Sequence, residues 1–161
     1  MNTAILLFSL VATGGTPSSL DAALSDIAAG DRPCTQLTAT FAEGPGTEGW
    51  LFVTLKRGTL RVRRTRPMEA ATITEMVLPE AECRKFALLA YSGGLRAEGT
   101  ARQYGEAGET RPRIGVGVVG AGQLSVTQWH RQMTPVFAQA RALFERLAAH
   151  AESVHSAAQS R

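Results

Sequence analysis

The chain is short of the residues that carry most protein chemistry: among its 161 residues are two cysteines, three histidines, two tryptophans and two tyrosines. Two cysteines exclude a disulfide-dense miniature scaffold. The histidines exclude the helical zinc signature, since no pair stands at i and i+4 around a carboxylate. His150 and His155 are five residues apart and turn away from a common helix face, and His130 has no cysteine or acid at ligand spacing. Neither a metal nor a cofactor is expected. The basic stretches lack interleaved aromatic side chains, so nucleic acid is not the expected partner. Long apolar runs are missing too. The longest candidate, Ala4 to Ala12 with Ser9 inside it, falls well short of the roughly 20 residues a membrane-spanning helix needs. No internal repeat and no low-complexity linker occurs.

That first apolar run has the size of a signal-peptide core, and Ala12 and Gly14 supply the small-x-small pattern of a cleavage site. No lysine or arginine precedes it, so the α-amino group of Met1 provides the only positive charge, and no cysteine follows it to take a lipid anchor. Residues 1–15 are therefore expected to be a signal peptide, residues 16–155 one domain and residues 156–161 a frayed polar tail, with the mature protein periplasmic or secreted. The rival expectation is a cytoplasmic protein in which residues 1–15 form a buried structural strand.

What is present is a globular composition, 44% hydrophobic and 19% charged, long enough for one domain with its own core. Charge is unevenly placed. Up to Gly49 there are five acids and one base, whereas from Trp50 onward nine acids face sixteen bases. Cys34 and Cys83 form an even pair, as an oxidising compartment favours; the alternative is two buried thiols.

Hydrophobic periodicity orders the rest. Leu20, Ala23, Leu24 and Ile27 predict a helix capped by Thr16 or Ser18 and stopped by Gly30. Residues 34–41 alternate as a strand, with Leu37, Ala39 and Phe41 on the dry face, before the glycine-rich segment at 43–49 breaks it. A hairpin is predicted from Trp50–Leu55 and Leu60–Arg66 around Lys56, Arg57, Gly58 and Thr59, followed by a strand over Thr72–Leu78. Pro79 opens a second helix with buried Cys83, Phe86, Ala87 and Ala90, closed by Gly93 and Gly94. The glycine- and charge-rich segment from Ala97 to Arg111 reads as a mobile surface loop. A second hairpin sets Ile114, Val116 and Val118 against Leu124 and Val126. The longest helix starts at Thr134 and Pro135 and buries Val136, Ala140, Leu143, Phe144, Leu147 and Ala151. The economical architecture is α+β: an antiparallel sheet of about five or six strands, built from two hairpins plus flanking strands, with helices on one face. This element order resembles that of small secretion chaperones of the type III export family, which act in the cytosol; the likeness is one of element order, without a shared motif.

Two features invite a chemical reading. Gly115 to Gly120 spell G-x-G-x-x-G, but a strand rather than a helix is predicted after the glycines, so the phosphate cradle of a dinucleotide site is not formed. Glycine on one strand face fits close packing better. Lys56, Arg57, Arg61, Arg63, Arg64 and Arg66 place six bases in eleven residues. On a regular strand Arg61 and Arg63 point outward together while Arg64 lies on the face of Leu60 and Val62. Lys56, Arg57, Arg61, Arg63 and Arg66 are the candidate binding patch for an acidic protein or another polyanion, with Trp50 and Trp129 as stacking surfaces beside it. The plain alternative is a solvated strand face whose arginines pair with glutamates. Nucleophile constellations are lacking, because Ser92 has no strand-turn-helix setting, Ser125 lies within a strand and Cys83 lies on an apolar stripe. The expected function is surface recognition without catalysis by an exported protein. The alternatives are a cytosolic chaperone-like or immunity-type binding module and a hydrolase using the 97–111 loop with Tyr91, Tyr104 and Glu106.

Overall fold

A computed structural model describes residues 19–46, 49–91, 95, 111–128 and 133–160. The expected leader at 1–15, the caps Thr16 and Ser18, nearly all of the 97–111 loop, Ser92, Trp129 and His130 lie outside the described residues.

The chain forms α1 (Ser19–Ala29), a single 3-10 turn (Cys34–Gln36), β1 (Leu37–Gly46), β2 (Gly49–Lys56), β3 (Thr59–Thr65), β4 (Thr72–Val77), α2 (Glu80–Tyr91), β5 (Arg113–Val118), β6 (Gly122–Thr127) and α3 (Pro135–Gln159). The six strands make one antiparallel sheet in the order β4-β3-β2-β1-β5-β6. These three helices of the described residues pack on one side of it. This is the α+β arrangement that the alternation predicts, because a strand with every second residue apolar offers a sheet one dry face.

The dry face follows strict period two. Leu37, Ala39 and Phe41 of β1 lie beside Val53 and Leu55 of β2, Leu60 and Val62 of β3 and Ile114, Val116 and Val118 of β5, all buried. Against them α1 turns Leu20, Ala23, Leu24 and Ile27, and α2 turns Cys83, Phe86, Ala87 and Ala90. Three rings knit the layers: Phe41 stacks on Phe144 of α3 at 5.4 Å between centroids, and Phe86 meets the same ring edge-on at 4.9 Å. The helix α3 buries Phe137 and Ala148 besides the expected stripe, while Val136 is only partly covered. Its last turns run on to Gln159, with the Ser156 hydroxyl donating to the Glu152 carbonyl at 3.0 Å.

Several ends differ from the expected ones for local reasons. Gly30 stops α1 as predicted, taking φ +92 and donating to the carbonyls of Asp26 and Ile27. Residues 34–36 form the 3-10 turn rather than strand, so β1 begins only at Leu37. At its other end β1 continues through the glycine-rich stretch, shifting register between Glu43 and Gly46 so that Gly46 still opposes Gly49. A bulge absorbs the irregularity that would otherwise end the strand. Gly49 itself, at φ +86, lies so close to β3 that a Cβ there would collide with the Thr65 carbonyl. Thr134 occupies the position ahead of α3, but its hydroxyl caps no helix N–H; its backbone N–H instead donates to the buried Gln128 side chain at 2.9 Å. A buried amide needs that partner more than an exposed helix end does.

Cys34 and Cys83 stand at disulfide distance, with Cα atoms 6.2 Å apart, joining the 3-10 turn to α2 across a sequence separation of 49. Ion pairs fix the helices to their neighbours. Arg141 of α3 grips Glu43 on the inner face of β1 at 2.8 and 2.9 Å, and also reaches Glu145 at 2.9 Å. Burial works against the Arg141 charge, yet its hydrogen bonds to Glu43 and the charges of Glu43 and Glu145 outweigh that, raising its pKa. Glu82 of α2 bridges Lys85 at 2.9 Å and Arg146 of α3 at 2.7 Å. The Lys85 hydrogen bond, opposed by burial and aided by the charges of Lys85 and Arg146, lowers the Glu82 pKa.

Candidate functional site

Among the described residues the helices gather on one side of the sheet and none covers the other, whose residues follow from the register. Opposing residues form three rows across the strands. The first runs Val77, Thr59, Lys56, Thr38, Gly117, Gln123; the second Glu75, Arg61, Thr54, Thr40, Gly115, Ser125; the third Ile73, Arg63, Phe52, Ala42, Arg113, Thr127. At the usual spacing the rows span roughly 24 Å. Among the described residues four cations stand on this face against one acid, Glu75.

The sequence places Arg61 and Arg63 outward together, and the structure does the same. Arg61 meets Glu75 on the neighbouring strand at 3.4 Å, so its charge is partly balanced. Lys56, Arg57 and Arg63 have no ion-pair partner among the described residues. Lys56 ends β2 on the open face. Arg57 sits in the turn, where φ +53 at Arg57 and φ +77 at Gly58 make the left-handed pair of a tight hairpin. Arg66 parts from the patch: it pairs with Glu69 at 3.6 Å and lines a hollow beside the end of α3. Arg64, on the inner side as predicted, makes a two-pronged contact with Glu152 of α3 at 2.9 and 3.3 Å.

Two features extend the face beyond the basic hairpin. Arg113 lies far from the hairpin in sequence, but the β1–β5 register sets it opposite Ala42, three strands from Arg63 in the same row. Its Nε donates to Ser125 Oγ at 2.8 Å, which lays the guanidinium along the sheet. The second is aromatic. Trp50 and Phe52, on one side of β2 by period two, stack at 5.6 Å with their planes 11° apart, and 39% and 37% of their surfaces remain exposed. The indole lies against the backbone of Gly44, where a Cβ would come within 2.7 Å of it, so Gly44 gives this ring its seat.

Beside the aromatic pair is a shallow depression of about 500 Å³ over β1, β5 and β6. Gly115 and Gly117 form its floor, with Thr38, Thr40, Gln123 and Ser125 along its sides. The threonines lean over the glycines: Thr38 Oγ1 donates to the Gly117 carbonyl at 3.1 Å, and a Cβ at Gly117 would stand 2.8 Å from that oxygen. Close packing is thus what these glycines permit, and the turn after them leads into β6 instead of a helix.

The hollow beside α3, about 430 Å³, joins Arg64, Arg66, Glu69, Glu152 and His155. Its arginines are matched by its glutamates, and the His155 ring contacts Gln159 at 2.8 Å. Among the described residues no hydroxyl or thiol side chain bonds to a histidine ring, and no three His, Cys, Asp or Glu side chains gather where a metal ion would sit. No helix among the described residues is long and apolar enough to cross a membrane. Tyr91 closes α2 half-exposed, while Tyr104 and Glu106, its expected companions, lie outside the described residues. The chain matches no protein-family model and no curated protein.

Proposed function

We propose that this is an exported, non-enzymatic protein that works by surface recognition, holding an acidic partner on the open face of its sheet. One observation carries the reading: among the described residues, Lys56, Arg61, Arg63 and Arg113 share one sheet face with a single carboxylate, Glu75. Fixed charges of one sign on a sheet attract a partner of the other sign without any rearrangement. The open, shallow shape suits contact over an area better than enclosure of a small substrate. Export is supported by the disulfide distance between Cys34 and Cys83, a pairing that oxidising compartments sustain.

The test is retention of the full chain on heparin across a salt gradient, beside the triple variant Lys56→Ala, Arg61→Ala, Arg63→Ala. Wild type should elute late, with retention falling as salt rises, and the variant should elute early. Equal elution of the two removes the face from consideration. Mass spectrometry of the same protein from its native host should show a start near Gly15 or Thr16, and an intact Met1 in cytosolic protein would exclude export.

A further inference from the structure

Charge alone does not say which acidic partner the face prefers, but the company the charges keep does. Resting on the reading above, we infer that the open face binds an acidic polysaccharide, with the Trp50–Phe52 pair stacking on a sugar ring while Arg63 and Arg113 pair with its carboxylate or sulfate groups. The two rings stack nearly parallel on one strand, Trp50 seated on Gly44, with more than a third of each surface exposed, so they present an apolar aromatic strip. Such a strip suits a ligand with a flat apolar face, which a sugar ring has and an acidic peptide need not have.

Arg63 flanks Phe52 on one side, and Arg113 lies beyond Ala42 on the other. They stand about 14 Å apart, three strand spacings, with the aromatic strip between them. That spacing matches a linear polymer bearing repeated anions better than one small anion. Arg113 commits its Nε to Ser125, which leaves its terminal amino groups for an incoming charge. The adjoining row of the face carries neutral hydrogen-bonding groups, Thr54, Thr40 and Ser125, as a partner rich in hydroxyls requires.

The same observations weigh against the rivals. A second copy of the chain would bring four cations against four. Single-stranded nucleic acid needs successive stacking platforms along its path, whereas among the described residues of this face one aromatic pair on β2 is flanked by hydroxyls and glycine. An acidic protein would use the cations and leave the aromatic pair idle.

The experiment titrates the full chain at fixed moderate salt with heparin, polygalacturonate, neutral dextran, poly-glutamate and oligo(dT), for wild type and for Trp50→Ala, Trp50→Tyr and the double variant Arg63→Ala, Arg113→Ala. The expected result is binding of heparin or polygalacturonate at least tenfold tighter than poly-glutamate or oligo(dT), with no binding of dextran. The stronger of the two acidic glycans identifies sulfate or carboxylate as the anion. Trp50→Ala should weaken glycan binding about tenfold and leave poly-glutamate unchanged, Trp50→Tyr should restore most of the loss, and the double variant should flatten the salt dependence. Tyrosine rescue separates lost stacking from lost folding. Equal binding of glycan and poly-glutamate, untouched by Trp50→Ala, overturns the polysaccharide inference and leaves the acidic-partner reading standing. Tighter binding of oligo(dT) than of either glycan also overturns it, and no binding of any polyanion overturns both.

Discussion

Breaking the link between Cys34 and Cys83 is the perturbation whose size follows most directly from the structure. The pair closes a loop of 49 residues that contains β1 to β4, two-thirds of the sheet. Cross-linking removes open conformations from the unfolded chain, and for a loop of this length the chain-entropy relation gives about 4 kcal/mol at room temperature. For a chain of this size each kcal/mol moves the melting temperature by roughly 2–4 °C, so reduction should lower it by about 8–16 °C. Cys83 is buried and Cys34 only partly so. Cys34→Ala thus removes the link at a small packing cost, and its melting temperature should fall to that of the reduced wild type. The assay is thermal unfolding followed by circular dichroism, with and without reductant, alongside thiol titration in denaturant. Wild type made in an oxidising compartment should show no free thiol before reduction and two after it. Two titratable thiols before reduction, or one melting temperature in both conditions, would refute the link and with it the present support for export.

Two further substitutions probe other parts of the frame. Glu43→Gln removes the carboxylate that holds Arg141 of α3 to β1; with side chains 14% and 22% exposed, the pair keeps some contact with water, so the loss should be about 2 kcal/mol in urea unfolding, and a loss under 0.5 kcal/mol would show that α3 is held by apolar packing alone. Arg57→Asn replaces a residue held at φ +53 by one that tolerates that conformation, and should stabilise the protein by about 0.5–1 kcal/mol; any destabilisation in the same assay would mean that Arg57 makes a contact its position does not suggest.

The parts of the fold legible in the sequence are those governed by neighbours in the chain. Period two sorted Leu60 and Val62 from Arg61 and Arg63, the Arg57–Gly58 turn registered the hairpin, and helical spacing found the buried stripe of α2. Local composition misled where a distant partner overrode it. The glycines and proline after Glu43 read as a break, yet pairing with β2 carries β1 on to Gly46 through a bulge. The 3-10 turn at Cys34 alternates like a strand, and nothing in its residues marks the difference. The candidate face was half visible. Lys56, Arg61 and Arg63 arise from one hairpin, but Arg113 joins them only through the β1–β5 register, and Arg66 leaves them because the strand ends at Thr65. Arg64 and Glu152 meet across 88 residues, a contact no spacing along the chain announces.

Gathering the described helices on one side of the sheet has an evolutionary consequence. Odd and even positions along the same strands answer to separate demands: one set must keep the interior filled, and the other is free to drift. Descendants of this chain can therefore exchange what they grip, by single substitutions at positions such as Phe52, Arg63 or Arg113, without renegotiating the interior. A protein engineer inherits the same freedom and can treat the bare surface as a blank panel already mounted on a stable frame.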